Sequence, residues 1–180
     1  MSSWNKIFKP IVVLCAICIV ITGALAATNA ATAPVILEAT IKAQNEARNE
    51  LLPEAEGTFS KVDGVKVDNV SDVYAADNGT GWVITSNAKG YNGTITVMSA
   101  FSPDGKIKQI KITEAAETPG FGSNVTDNKS YWERYAGLDG TKQLVLGQDV
   151  DGWSGATISS KALLRAMNSA IEAYNAIPKS

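Results

Sequence analysis

The stretch Asp151-Gly152-Trp153-Ser154-Gly155-Ala156-Thr157, continued by Ile158-Ser159-Ser160, concentrates the chemistry of this chain. Small residues at 154, 155 and 156 clear space around one hydroxyl, that of Thr157, at the start of a segment that reads as a helix. Gly152 and Gly155 let the backbone turn and let a bulky group approach. A helix N-terminus there offers free N–H groups and a partial positive charge, a setting that suits a phosphate. The pattern therefore suits a phosphate beside one uncluttered hydroxyl.

Rival chemistries lack their residues. The 180-residue chain has no histidine, so the commonest general base and metal ligand is missing. Its two cysteines, Cys15 and Cys18, lie in an apolar run, where they read as small apolar residues of a membrane helix. No Ser-His-Asp triad, thiolate nucleophile or cysteine zinc site can be assembled. Asp149-Val150-Asp151-Gly152 lacks the remaining ligands of a calcium loop. No catalytic residue and no metal site is therefore assigned. There is also no glycine-rich dinucleotide or P-loop signature.

A second cluster, Glu117-Thr118-Pro119-Gly120-Phe121-Gly122, reads first as a tight turn. Pro119 fixes φ and the flanking glycines open backbone shapes closed to other residues. A flat ring could pack on such a main chain, with N–H groups and Thr118 at its polar edge.

The elements that must position these clusters read as mixed α and β, with antiparallel strands packed against helices. Pro34 opens a helical stripe carrying Ile36, Leu37, Ile41, Ala47 and Leu51, which Pro53 ends. Short β-prone pieces follow at 58–62, 72–76 and 81–88, separated by Asn78-Gly79 and Asn92-Gly93. The clearest hairpin joins 94–98 to 107–112 through Pro103-Asp104-Gly105, and the second arm is expected to alternate strictly, with its lysines outside. Residues 127–136, with Tyr131, Trp132 and Tyr135, suit a short helix whose aromatics enter the core. Leu144-Val145-Leu146 suits a buried strand. Ser159 or Ser160 can cap a last helix that buries Leu163, Leu164, Met167, Ala170, Ile171 and Tyr174.

Ile11 to Ala27 is almost uncharged and, with its weakly polar flanks, reaches about the 20 residues of a spanning helix. Its length favours a retained anchor over a cleaved signal peptide, although Ala24-Leu25-Ala26 offers small residues at cleavage spacing. Lys6 and Lys9 precede it without an acidic residue, which keeps the N-terminus cytoplasmic and exports the rest of the chain. The expected organisation is a cytoplasmic N-terminus over 1–10, a transmembrane anchor over 11–30 and an exported domain over 34–177, in the inner (plasma) membrane. Beyond the anchor 14 basic residues face 18 acidic ones, so nucleic acid is a poor partner. The Asn-x-Ser/Thr triplets at Asn69, Asn78, Asn92, Asn124 and Asn128 read as turn asparagines.

The run 151–157 resembles the flavinylation motif Asp-Gly-x-Ser/Thr-Gly-Ala-Thr. With the 117–122 loop and the hairpin before it, most of 34–177 resembles the FMN-binding domain family, including Tyr91-x-Gly93 and the Asp104-Gly105-Lys106-Ile107 turn. Within it, the single anchor and short length are most similar to G subunits of Rnf ion-translocating electron-transport complexes. The C subunits of sodium-pumping NADH:quinone oxidoreductases are close relatives. The resemblance implies FMN esterified through its phosphate to Thr157, installed by a flavin transferase that uses FAD and magnesium. It implies that Glu117, Thr118, Gly120, Phe121, Ser154, Gly155 and Ala156 bind the cofactor. Asp151, Gly152, Ser154, Gly155, Ala156 and Thr157 match what the transferase reads. Many relatives place a histidine before the loop; Ala115 and Ala116 stand there in this chain, so that contact does not carry over. The implied function is an electron-carrier subunit, partnered by other subunits of a ferredoxin:NAD oxidoreductase complex and by membrane lipid, rather than a self-contained enzyme. The alternatives are a stand-alone anchored flavoprotein passing electrons outside the cytoplasm, a subunit of the sodium-pumping type, and a non-redox anchored domain.

Overall fold

A computed structural model describes residues 8–178; Lys6, and with it most of the expected cytoplasmic segment 1–10, lies outside the described residues. The chain divides into two compact units, Met1–Ala43 and Gln44–Ser180. The second begins later than the 34–177 domain expected from the sequence.

Helix α1 runs unbroken over Lys9–Leu51, with Pro34 inside it rather than at its start. Proline lacks the N–H that would bond to the carbonyl of Ala30 and crowds the preceding turn. Here the neighbours are Ala30, Ala31, Thr32 and Ala33, which are small and largely good helix formers, so the helix continues with one bond fewer. Its N-terminal part is apolar on all sides and exposed, as at Leu14, Ile19, Val20 and Leu25. Among the described residues it is the one helix long and apolar enough to cross a membrane.

In the second unit, five strands form an antiparallel meander in sequence order: β1 (Phe59–Lys61), β2 (Val70–Ala76), β3 (Trp82–Lys89), β4 (Thr94–Phe101) and β5 (Ile107–Glu114). The architecture is α+β, as expected. Helix α4 (Thr157–Ala176) lies on one face, against β3 and β4. It buries Leu163, Met167, Ala170, Ile171 and Tyr174 at helical spacing. The Tyr174 ring stacks on Phe101 at 4.9 Å between centroids and meets Trp82 edge-on at 5.5 Å, and its hydroxyl donates to the carbonyl of Ser102 at 3.1 Å. The opposite face is covered as well. Ala47, Leu51, Leu52 and Ala55 pack there on Ala76, Val83, Met98 and Ala100. Arg48, 6% exposed, lays its guanidinium 3.8 Å from the Tyr74 ring centroid.

That second layer explains β5. Strict alternation fails because a bulge at Lys108 sits between the pairs Phe101↔Ile107 and Ala100↔Gln109. The extra residue keeps Ile107, Ile110 and Ile112 on the α4 face despite their uneven spacing. Lys108 and Lys111 point to the other side, where they are half-buried and pair with Glu54 and Glu50.

Two further segments depart from expectation. Residues 127–136 do not form one helix. Short helices α2 (Ser123–Thr126) and α3 (Lys129–Trp132) are followed by a 3-10 turn over Glu133–Tyr135, and Asn128 caps α3 by accepting from the Ser130 N–H. Tyr131 and Tyr135 enter the core, as expected. Leu144-Val145-Leu146 is not a buried strand. Asn168 of α4 accepts from the Leu144 N–H at 2.8 Å and donates to its carbonyl at 3.0 Å, while Asp149 accepts from Val145 N–H at 2.7 Å. Side chains thus take the groups a ladder would use, and Val145 is left exposed.

Removing the Asn168 amide strands both backbone groups of Leu144, so Asn168→Ala is expected to destabilise the folded chain by about 2 kcal/mol in urea unfolding. Hydrogen bonds from the Thr141 hydroxyl and N–H, then Lys142, hold the Asp139 carboxyl down at about 2, below its ordinary 3.8. Its contribution to stability is therefore complete above pH 4 and fades as pH falls through about 2. The difference in thermal midpoint between wild type and Asp139→Ala is expected to persist at pH 5 and to narrow at the acid end.

Candidate functional site

The two sequence clusters meet. A cleft of about 450 Å³ is lined by Thr118, Phe121 and Gly122 from the loop after β5 and by Gly155 to Ser159 from the motif and the first turn of α4. Tyr91, from the β3–β4 turn, completes it. The volume lies in the range of small-molecule sites. Three large apolar side chains stand open around it, Tyr91 at 67%, Phe121 at 63% and Ile158 at 52% exposure. Such a cluster on a domain this size marks a surface meant to be covered.

Helix α4 begins at Thr157 itself, whose side chain is exposed. The residue before it, buried Ala156, offers no side-chain cap. The first bond of the helix runs from Ser160 N–H to the Ala156 carbonyl at 2.9 Å. The N–H groups of Thr157, Ile158 and Ser159 consequently have no acceptor among the described residues. They open beside the hydroxyl, and Lys161 is exposed further along the same helix.

The expected serine caps have other partners. Ser160 accepts from the Trp153 N–H at 3.0 Å and donates to the Ala156 carbonyl at 3.0 Å, which folds the motif onto the helix. Trp153 also meets the Tyr131 ring edge-on at 6.0 Å, and the Tyr131 hydroxyl donates to the Asp151 carbonyl at 3.0 Å. Gly155 has φ +82° and Gly120 φ +78°, where a side chain would be strained. Gly152 does not share this need. Its φ is not in the left-handed region, and an added Cβ would meet Leu146 at an ordinary 3.5 Å. Asp151, Gly152, Ser154 and Gly155 are exposed and reachable from outside.

Ser159 donates to Glu117 Oε2 at 2.7 Å. Glu117 Oε1 accepts from the N–H of Tyr91 at 2.9 Å and of Asn92 at 3.3 Å. Asn92 adds a bond from its side chain to the Ala116 carbonyl at 2.9 Å. The Glu117 carboxylate thereby joins the β3–β4 turn, the 117–122 loop and α4. It lies behind the wall of the cleft, with both oxygens engaged, and is not among the residues that line it. The close fit shows in two glycines. A Cβ at Gly90 would come 2.2 Å from Glu117 Oε1, and one at Gly122 would come 2.1 Å from Oε2.

Of the expected binding residues, Thr118, Phe121, Gly155, Ala156 and Thr157 line the cleft; Gly120 and Ser154 flank it on exposed backbone. Sequence reasoning did not single out Ile158, Ser159 or Tyr91 as site residues. Tyr91 carried a signal, since Tyr91-x-Gly93 belongs to the pattern by which the chain resembles its family. Among the described residues no group of His, Cys, Asp or Glu could hold a metal ion.

Comparison with known proteins gives a family and its relatives. Residues 90–172 match the family model described as FMN-binding domain. The chain is 31% identical over 175 residues to the G subunit of the proton-translocating ferredoxin:NAD(+) oxidoreductase complex of Clostridium ljungdahlii, covering 93% of this chain and 91% of that one. It is 30% identical over 200 residues to the G subunit of the Na(+)-translocating ferredoxin:NAD(+) oxidoreductase complex of Acetobacterium woodii, covering 98% and 95%. It is 31% identical over 187 residues to the G subunit of the ion-translocating oxidoreductase complex of Methanosarcina acetivorans, covering 98% of both. Among solved structures, NqrC of Shewanella oneidensis matches with a TM-score of 0.47 and 28% identity over 62% of each chain.

The two glycine environments separate by mutation. Gly122→Ala pushes a methyl onto a carboxylate already held on three sides, and is expected to lower stability by about 1–3 kcal/mol in urea unfolding. Gly152→Ala is expected to stay within about 0.5 kcal/mol of wild type.

Proposed function

This chain belongs to the family of G subunits of ion-translocating ferredoxin:NAD(+) oxidoreductase complexes and carries its FMN-binding domain, and we propose from that premise that it is the electron-carrying subunit of such a complex, with FMN esterified to Thr157. The observation that carries this reading is the convergence of the 118–122 loop and the 155–159 turn around one exposed hydroxyl at a helix N-terminus.

The residues present fit the group. Thr157 Oγ1 would form the phosphoester, and the N–H groups of Thr157, Ile158 and Ser159, with the positive end of α4, suit its charge. Phe121, Tyr91 and Ile158 supply apolar surface for a flat ring, and Thr118 supplies a polar edge. When bound, FMN would provide reversible electron uptake and release. The protein's part is to hold the ring in a site partly screened from water and to set its electrostatic surroundings.

Maturation follows from exposure. A flavin transferase drawing on FAD and magnesium would reach Asp151, Gly152, Ser154, Gly155 and Thr157 from solvent, while buried Ala156 fixes their spacing. The apolar part of α1 is the membrane anchor, and Lys6 and Lys9 keep the N-terminus cytoplasmic, so the domain works on the exported side. The other subunits of the complex supply the electron donor and acceptor.

Thr157→Ala tests the attachment. Coexpressed with a flavin transferase, the wild-type chain is expected to fluoresce in a denaturing gel and to carry an FMN adduct on the Thr157 peptide by mass spectrometry. The variant should lose both while keeping its circular dichroism spectrum. Fluorescence retained by Thr157→Ala would place the flavin elsewhere.

A further inference from the structure

Glu117 stands beside the cleft with no basic side chain paired to it among the described residues. Its partners are the N–H groups of Tyr91 and Asn92 and the Ser159 hydroxyl, all of them neutral donors. Among the described residues no lysine or arginine nitrogen lies within 4.0 Å of it, whereas Glu50, Glu54, Asp72 and Asp139 each have a lysine. Glu117 is half-buried. Two of its three donors, Tyr91 and Ser159, belong to residues that line the cleft, and so does Gly122, whose missing side chain makes room for Oε2. A neutral amide of the same shape would accept the same backbone N–H bonds more weakly, so the charge strengthens the lock and also acts beyond it.

We propose that Glu117 is a positioning residue with a second role as a fixed negative charge: it locks the β3–β4 turn to α4 and, through the wall of the cleft, lowers the reduction potential of the flavin held there. The inference rests on the reading of the cleft as the FMN site. Its sign follows from Coulomb's law. Reduction adds electron density to the ring, and a carboxylate bonded to residues that line the cleft opposes that addition. Half-burial weakens the screening that would cancel the effect at an exposed carboxylate. The three hydrogen bonds hold the charge in place without removing it.

The test uses the full chain in detergent, with and without coexpressed flavin transferase, and reads shape and charge separately. In the flavin-free chain, Glu117→Ala is expected to lower amide exchange protection at Tyr91 and Asn92 by about tenfold or more, since hydrogen bonds to a charged acceptor are lost. Glu117→Gln keeps an acceptor oxygen and is expected to retain most of that protection. In the loaded chain, with adduct occupancy checked by intact mass, Glu117→Gln is expected to raise the flavin midpoint potential. A loaded Glu117→Gln chain with wild-type potential overturns the electrostatic role, and loss of protection in Glu117→Gln as large as in Glu117→Ala overturns the positioning role. If Glu117→Gln does not load, Ser159→Ala decides, because it strips a donor and leaves the charge. A lower potential in that variant supports the proposal, and an unchanged or higher one overturns it. A wild-type chain that acquires no adduct fails the FMN reading instead, and the exchange measurements then still decide the lock.

Discussion

One carboxylate holds the site together. Glu117 takes hydrogen bonds from a turn 26 residues earlier and from a helix 42 residues later, and those three segments make up the cleft. A charged acceptor gives each bond roughly twice the strength of a neutral pair. The constraint propagates outward. Gly90 and Gly122 are fixed by the space the carboxylate occupies, and Ser159 is fixed as its donor rather than as a helix cap. With Ser159 so engaged and Ala156 ahead of it, the first N–H groups of α4 stay open. The anion-seeking end of the helix and the shape of the cleft thus have one origin.

The scaffold beneath that carboxylate is a five-stranded antiparallel meander covered on both faces. The cleft is assembled at connections: the β3–β4 turn, the loop after β5 and the entry to α4. Loops tolerate the exposed apolar surface that a cofactor needs, provided rigid elements fix their ends. β3, β4 and α4 supply that rigidity through the packed rings of Phe101 and Tyr174, both buried, and the half-buried Trp82. A connection that is itself tied by Glu117 behaves more like part of the scaffold than its length suggests.

Much of this was legible in the residues, and the limits have physical causes. The motif 151–157, the loop 117–122 and the last helix announced themselves because short-range chemistry, such as glycine conformation and helical spacing, dictates them. The α+β architecture followed from the strand-like pieces and the clear hairpin. What escaped depends on partners distant in sequence. Leu144-Val145-Leu146 has strand composition, yet its backbone groups are claimed by Asn168 and Asp149. Pro34 reads as a boundary, yet small, mostly helix-favouring neighbours carry α1 through it. The Lys108 bulge lets β5 serve two covered faces where alternation allowed for one. The family resemblance groups Glu117 with the cofactor-binding residues, and the chain around it carries no sign of the bonds its carboxylate makes to Tyr91, Asn92 and Ser159. Its own side chain turns to the back of the wall.

Thr157 is the first residue of a 20-residue helix whose later turns carry Leu163, Met167 and Tyr174 into the core. Under the proposed attachment, the ring would be tied through the Thr157 side chain, the phosphate and the ribityl chain to the first turn of a helix that the core holds in place. Its reach would then be no more than the length of that tether. Under that reading, an electron leaving such a tether over more than a tunnelling distance would need a partner at the mouth of the cleft, or a move of the whole globule.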